Sequence, residues 1–241
     1  MRQTQNWFLH CFALELAPVS RHLHDVTLSA GQVLCETGER IRHVYFPHEG
    51  MVSKLTVFED GLEVECALVG RQGVIGAISA LGMRTAVTRD VCHVPMRAAR
   101  IDAETFHSLC RSSETLHAAI DRYCAWKMSC AIRNGACNAC HSVEQRLARW
   151  ILTCSDILDD ADIPLSQDRL SRMLAVQRSS VNPILQRFRA EGLLAVGRSR
   201  LTILDPNRLM QRACECYDVM KTTEAHMLRA GIYAACPSPP A

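Results

Sequence analysis

Hydrophobic positions along this chain change their spacing twice. Between residues 31 and 101 they come in short β-branched runs separated by turn residues. The runs at 32–35, 43–46, 52–57 and 62–69 predict strands, and further strands are expected at 84–93 and 98–101. Eight of the twelve glycines lie between Gly31 and Gly82, so turn signals recur about every ten residues. Many short strands closed by such turns predict a β-sandwich or β-roll.

After Asp102 the spacing changes to three and four. Residues 103–111 predict a short helix and 114–134 a long one, with Leu116, Ile120, Tyr123, Met128 and Ile132 among its apolar positions. Leu116, Ile120, Tyr123, Lys127, Cys130 and Asn134 approximate a seam that a second helix could cover. The competing reading packs this helix wholly against its own domain. Gly135 and residues 137–140 are expected to form a hinge. Ser142 and Gln145 have the spacing of a capping box, opening another helix over 142–152. Upstream, residues 7–15 predict an amphipathic helix against the first domain.

The third pattern is two short helices and a hairpin. Behind Ser166, a suitable N-cap, Leu165, Leu170, Met173 and Leu174 share one face. Ala175, Val176 and Gln177 make a turn, and Val181, Ile184, Leu185 and Phe188 mark the apolar stripe of a second helix. Gly192 can end that helix, because glycine enters the left-handed C′ conformation without steric cost. The other face offers Gln177, Arg178, Ser179, Ser180, Asn182, Gln186, Arg187 and Arg189, groups able to reach base edges and phosphates. Residues 193–205 then predict two strands around a Gly-Arg-Ser turn, with Arg198 and Arg200 at the tip to contact phosphates. Paired amphipathic helices also occur in domains that touch no nucleic acid. Charge favours DNA: residues 163–212 hold nine arginines, no lysine and three carboxylates, a local +6 in a chain of only +2.

Composition narrows the rest. With 241 residues, 48% hydrophobic and 22% charged, the chain suits two modest globular domains. No apolar run is long enough to span a bilayer, and the N-terminus lacks a secretory h-region, so a cytoplasmic protein without membrane contact is expected. Thirteen cysteines, odd in number and scattered, argue against a disulfide framework. Cys137 and Cys140 have metal-ligand spacing, as do Cys214 and Cys216 more loosely. A lone CxxC is a weak signal, so the thiols are read as reduced and structural, with no metal assigned. No nucleophile-base set or phosphate-cradling loop indicates an enzyme. The rival reading, a thiol oxidoreductase or redox-responsive regulator using Cys137 and Cys140, lacks the βαβ surroundings of such chemistry.

Several segments together resemble the Crp/Fnr superfamily of bacterial transcription regulators. They are residues 166–174 (SQDRLSRML), the Arg178-Ser179-Ser180-Val181 opening, Glu191-Gly192-Leu193-Leu194, residues 197–205 of the hairpin, and the glycine turns at 31–34, 38–39 and 69–76. The resemblance implies an α+β fold. An N-terminal cyclic-nucleotide-binding-like β-roll, a double-stranded β-helix, would occupy 1–111. A dimerisation helix and hinge would follow at 112–140, a winged helix-turn-helix at 141–213, and a tail at 214–241. It further implies a homodimer on a pseudo-palindromic double-stranded DNA operator, RNA polymerase as a partner, and a small-molecule effector. Gly76, Ala77, Arg84 and Thr85 would stand at the effector pocket. Cyclic-AMP-binding members carry a glycine-glutamate pair where this chain has Gly76-Ala77, so cyclic AMP is not expected, and neither is a cyclic-nucleotide-binding module without DNA activity. Fnr's N-terminal cluster of cysteines is also missing, and the cofactor is unassigned. Pro183 stands where the cyclic-AMP receptor pattern has a base-contacting arginine, so the helix is expected to kink there or to begin later. Arg178, Ser179 and Asn182 then become the readers.

Overall fold

The computed structural model describes residues 6–11, 17–165 and 167–229. Helices α1 (Trp7–Cys11) and α2 (Ala17–Ser20) precede the first sheet, and residues 12–15 of the N-terminal helix expected over 7–15 fall outside the described residues. The sheet contains β1 (His24–Leu28), β2 (Val33–Cys35), β3 (His43–Val57), β4 (Glu63–Val69) and β5 (Arg89–Asp102). Its antiparallel order is β1-β5-β3-β4, with β2 also on β5. The runs expected at 43–46 and 52–57 are one strand. So are the end of 84–93 and all of 98–101, whereas residues 84–88 are not a strand and β1 was not anticipated.

Bulges explain the merging. The β3–β5 register shifts between Pro47 and Glu49, Glu49 and Met51, and Met51 and Val52, which bends both strands without ending them. Gly50 sits at this bend with φ +83, and a Cβ there would fall 2.2 Å from the Pro95 carbonyl oxygen. The turn residues read as strand ends are therefore bends within continuous strands. A 3-10 turn, Ala77–Leu81, lies between β4 and β5. Phe8, Phe46, Ile101, Phe106 and Ile120 fill the core on this side.

Helix α3 (Ala103–Ser112) begins where the Asp102 carboxylate accepts the Thr105 amide. Ser113 caps α4 (Glu114–Cys140), which continues through Gly135 and the whole segment expected to be a hinge, and the chain turns instead at His141 and Ser142. The seam expected for a second helix also needs correction. Leu116, Ile120 and Tyr123 are buried in the β-roll core, Lys127 donates to the Leu68 carbonyl, and Asn134 donates to that of Cys66. That face of α4 is covered by its own domain. The exposed face carries Ala125, Met128, Ile132, Gly135 and Ala136.

The capping box of Ser142 and Gln145 opens α5 (Val143–Leu158), as its spacing predicts. Then follow β6 (Asp162–Ile163), α6 (Gln167–Met173), α7 (Arg178–Ala190), β7 (Leu194–Val196), β8 (Leu201–Ile203), α8 (Pro206–Met210) and α9 (Cys216–Arg229). The second sheet has the order β6-β8-β7. Ser166, the expected cap, lies outside the described residues, as does the tail beyond 229. The core of this half includes Met51 and Leu68 of the first sheet beside Leu147, Ile151, Leu185 and Phe188, so the two halves pack on each other.

Candidate nucleic-acid interface

Helices α6 and α7 are joined by a turn in which Ala175 adopts a left-handed φ of +52, a conformation that costs an L-residue energy and is held here by the packing of both helices. Leu165, Leu170 and Leu174 are buried on one side, and Val181, Ile184, Leu185 and Phe188 on the other. These apolar contacts fix the rotation of α7. Gly192, at φ +72, follows the last turn as expected.

Burying that stripe leaves Gln177, Arg178, Ser179, Ser180, Gln186, Arg187 and Arg189 exposed on one continuous face. Asn182 is only partly exposed, and its Oδ1 is buried without a hydrogen-bond partner among the described residues. Pro183 is exposed inside α7, which runs unbroken from Arg178 to Ala190, so the helix does not begin later than the proline. The ring supplies no N–H for the Ser179 carbonyl one turn back. Gln177 has extended dihedrals at the N-cap and caps nothing with its side chain, whose Oε1 accepts the Ser179 hydroxyl at 3.4 Å.

The arginines fall into two groups. Arg178, Arg189 and Arg198 have no ion pair among the described residues. Arg187 instead pairs with Glu144 at 2.6 Å, and Arg212 bridges the same Glu144 to Glu191. Arg200 pairs with Asp162 at 2.9 Å, and Thr202 donates to the same carboxylate. The sequence groups Arg187 and Arg200 with the DNA contacts and carries no local signal for Glu144 and Asp162, which lie 43 and 38 residues away. These bridges tie the second helix to α5 and the wing to β6. The wing itself forms as expected, with Gly197 N–H bonding the Arg200 carbonyl across the turn.

The residues expected at an effector pocket disperse. Gly76, Cys35, Tyr45, Lys54, Ile75 and Asp90 line a cavity of only about 20 Å³, room for roughly one water. Ala77, Arg84 and Thr85 are not in that lining. Arg84 shares Glu104 with Arg40, and Thr85 forms a β-bridge with Arg40. The cavity wall carries an ion pair, Lys54 Nζ reaching both Asp90 oxygens at 2.7 and 2.5 Å.

A larger cavity, about 230 Å³, lies where the two halves meet, among Glu65, Trp126, Lys127, Arg149, Trp150 and Glu224. Burial pushes the Glu65 carboxyl up to about 7, although Trp150 and Ser53 both donate to it. Nearby His93 is driven down to about 4, by burial first and then by the Arg169 guanidinium. Neither residue stood out in the sequence.

The CxxC pair is not a unit in space. Cys140 is exposed, whereas Cys137 is buried with its Sγ 3.5 Å from that of Cys214. Burial raises the thiols of Cys137, Cys214 and Cys216, the opposite of an activated nucleophile.

Two family models match this architecture. A cyclic nucleotide-binding domain matches residues 25–113, and a Crp-like helix-turn-helix domain matches residues 145–212. No curated protein matches the chain by sequence. Among solved structures, FixK2 from Bradyrhizobium japonicum is 14% identical with a TM-score of 0.70, covering 80% of this chain and 98% of its own. The c-di-GMP responsive global regulator CLP from Xanthomonas campestris is 17% identical with a TM-score of 0.67, covering 80% and 99%. A CRP-family transcriptional regulator from Thermus thermophilus is 19% identical with a TM-score of 0.66, covering 78% and 96%. At these identities the likeness is one of fold.

Proposed function

From this chain's membership of the Crp/Fnr family of transcriptional regulators, we propose that it is a cytoplasmic homodimer reading a pseudo-palindromic DNA operator. One copy of α7 would enter each major-groove half-site, with half-sites about one helical turn apart. The observation that carries this reading is the exposed polar face of α7, fixed in rotation by its buried stripe and continued by the cationic wing. Arg178, Ser179 and Ser180 at the start of the helix are the base readers, with Gln177 and Gln186 at the flanks. Arg198 is a phosphate contact. Arg187 and Arg200 would first have to leave Glu144 and Asp162, so they contribute less than their exposure suggests.

The dimer contact is assigned to the exposed face of α4, not the seam expected from sequence. Met128 and Ile132 are 62% and 68% exposed there, beside small Ala125, Gly135 and Ala136, and the spacings of three and four suit a second copy of the same helix. Two such helices side by side would set the distance between two recognition helices.

The activity is binding, not catalysis, with RNA polymerase as the partner through which transcription changes. Cyclic AMP is not the effector on this reading. Its carboxylate partner is replaced by Ala77, and the Lys54–Asp90 pair would have to open before any ligand larger than water entered beside Gly76. Among the described residues no helix is long and apolar enough to cross a membrane.

Selection of bound duplexes from a random pool by the reduced full-length protein tests this. A two-fold symmetric site is expected. Salt-sensitive binding without any preferred sequence would reject α7 as a reader.

A further inference from the structure

Four metal-ligating side chains from two distant segments converge beside the junction of the two halves. Cys137 is in the last turn of α4 and His141 is its C-cap, an i, i+4 pair on one face. Cys214 and Cys216 lie at the entry to α9, on either side of Glu215. The ligand atoms of Cys137, His141, Cys214 and Cys216 all lie within 4.8 Å of one another.

We propose that this cluster is a structural Cys3His site for a zinc ion. The three thiols form a small buried group separate from the large apolar cores. Their spacing suits one ion: Zn–S bonds of about 2.3 Å and a Zn–N bond of about 2.0–2.1 Å put tetrahedral ligand atoms about 3.5–3.8 Å apart. Cys137 Sγ and Cys214 Sγ are 3.5 Å apart, and Cys216 Sγ is 3.7 Å from His141 Nδ1.

The outer shell is also present. His141 Nε2 lies 3.2 Å from Glu215 Oε1, so the carboxylate holds the ring with Nδ1 directed at the thiols. A carboxylate on the far nitrogen is the usual orienting partner of a zinc-bound imidazole. Three thiolates leave the site at −1 with Zn²⁺, and buried Arg149 supplies a compensating positive field at Cys137 and Cys214. On binding, the three thiol protons pass to solvent, and no electron is transferred.

Neither a disulfide nor simple packing accounts for the whole cluster. A disulfide would use two sulphurs and give no work to Cys216, His141 or Glu215. Packing of small apolar thiols would not place an imidazole-carboxylate pair at their edge. Cys137 and Cys214 are 77 residues apart, and the whole helix-turn-helix and wing lie between them. One zinc would therefore clamp both ends of the DNA-binding domain to the end of α4.

Metal content and cobalt titration of the reduced full-length chain test the proposal. About one zinc per chain is expected, retained through dialysis. Cobalt in its place should give the intense visible bands of a tetrahedral site with sulphur-to-cobalt charge transfer. Cys214→Ser and His141→Ala should lose the ion, while Cys140→Ser, outside the cluster, should keep it. Glu215→Gln should weaken binding about 10–100-fold while leaving the tetrahedral spectrum. The wild type and Cys140→Ser carry the test even where a ligand variant fails to fold. No stoichiometric zinc and no cobalt bands would overturn the site, as would loss of the ion in Cys140→Ser. A Cys137–Cys214 disulfide in metal-free, freshly isolated protein would do the same.

Discussion

Trp150 donates its indole N–H to Glu65 Oε1 at 2.5 Å, joining the first helix of the DNA-binding domain to the first sheet, 85 residues earlier. Ser53 donates to the other oxygen of the same carboxylate at 2.9 Å. Glu65 is partly buried beside the cavity between the halves, and burial raises it from an ordinary 4.5 to about 7.

That shift predicts a pH-dependent junction. A carboxyl raised in the folded state is protonated there while the unfolded chain has already released its proton. Its contribution therefore falls as pH rises from about 4.5 to about 7 and is constant above. The full shift corresponds to about 3 kcal/mol, and the partial exposure of Glu65 reduces it to about 1–3 kcal/mol. His93, lowered to about 4, acts oppositely, gaining stability as pH rises from its folded value to its ordinary one. The difference between wild type and Glu65→Gln isolates Glu65. Urea unfolding across pH 5–8 should show the variant gaining on the wild type as pH rises, and parallel curves would reject the assignment.

Pro183 sits in the sixth position of α7 and leaves the Ser179 carbonyl without its helical donor. Pro183→Ala should stabilise the domain by about 1–3 kcal/mol, the interior cost of about 3 less the entropy that proline removes from the unfolded chain. A higher denaturation midpoint with an unchanged slope is the expected result. No gain would mean that the missing hydrogen bond at the Ser179 carbonyl costs the folded domain nothing.

The two groups of arginines should separate in DNA binding. Arg178→Ala should cost about 1–3 kcal/mol on the selected operator and relax preference at one base position, with a smaller loss on random duplex. Arg198→Ala should weaken both equally and reduce the salt slope by about one. Arg187→Ala should cost less DNA affinity than either, because its guanidinium is already held by Glu144. Equal losses for Arg178→Ala on both duplexes would demote it to a phosphate contact.

Opposite faces of α4 should respond differently. Ile132→Glu introduces a charge at an exposed position, so sedimentation should report monomers with unchanged helix content. Tyr123→Phe removes two hydrogen bonds with the Val74 backbone, at 2.9 and 3.1 Å, and should cost about 1–3 kcal/mol while leaving the dimer intact. Dissociation by Tyr123→Phe and not by Ile132→Glu would restore the seam first expected.

Local spacing by itself determined much of this protein. The Ser142–Gln145 capping box, the buried stripe of α7, Gly192 as helix stop, and the wing around Gly197 all form where the sequence puts them, because each depends on neighbours within a few residues. Period and turn chemistry operate at that range. Tertiary structure decided whatever depends on distant partners. It showed that the bend at Gly50 continues β3, since the bulged register against β5 holds it. It turned the Leu116–Tyr123 face of α4 inward, because an apolar stripe carries no record of which partner covers it. It withdrew Arg187 and Arg200 into bridges with Glu144 and Asp162. It also took Cys137 from Cys140 and set it beside Cys214, Cys216 and His141, since spacing along a chain fixes which side chains share a helix face but not which two segments a fold brings together.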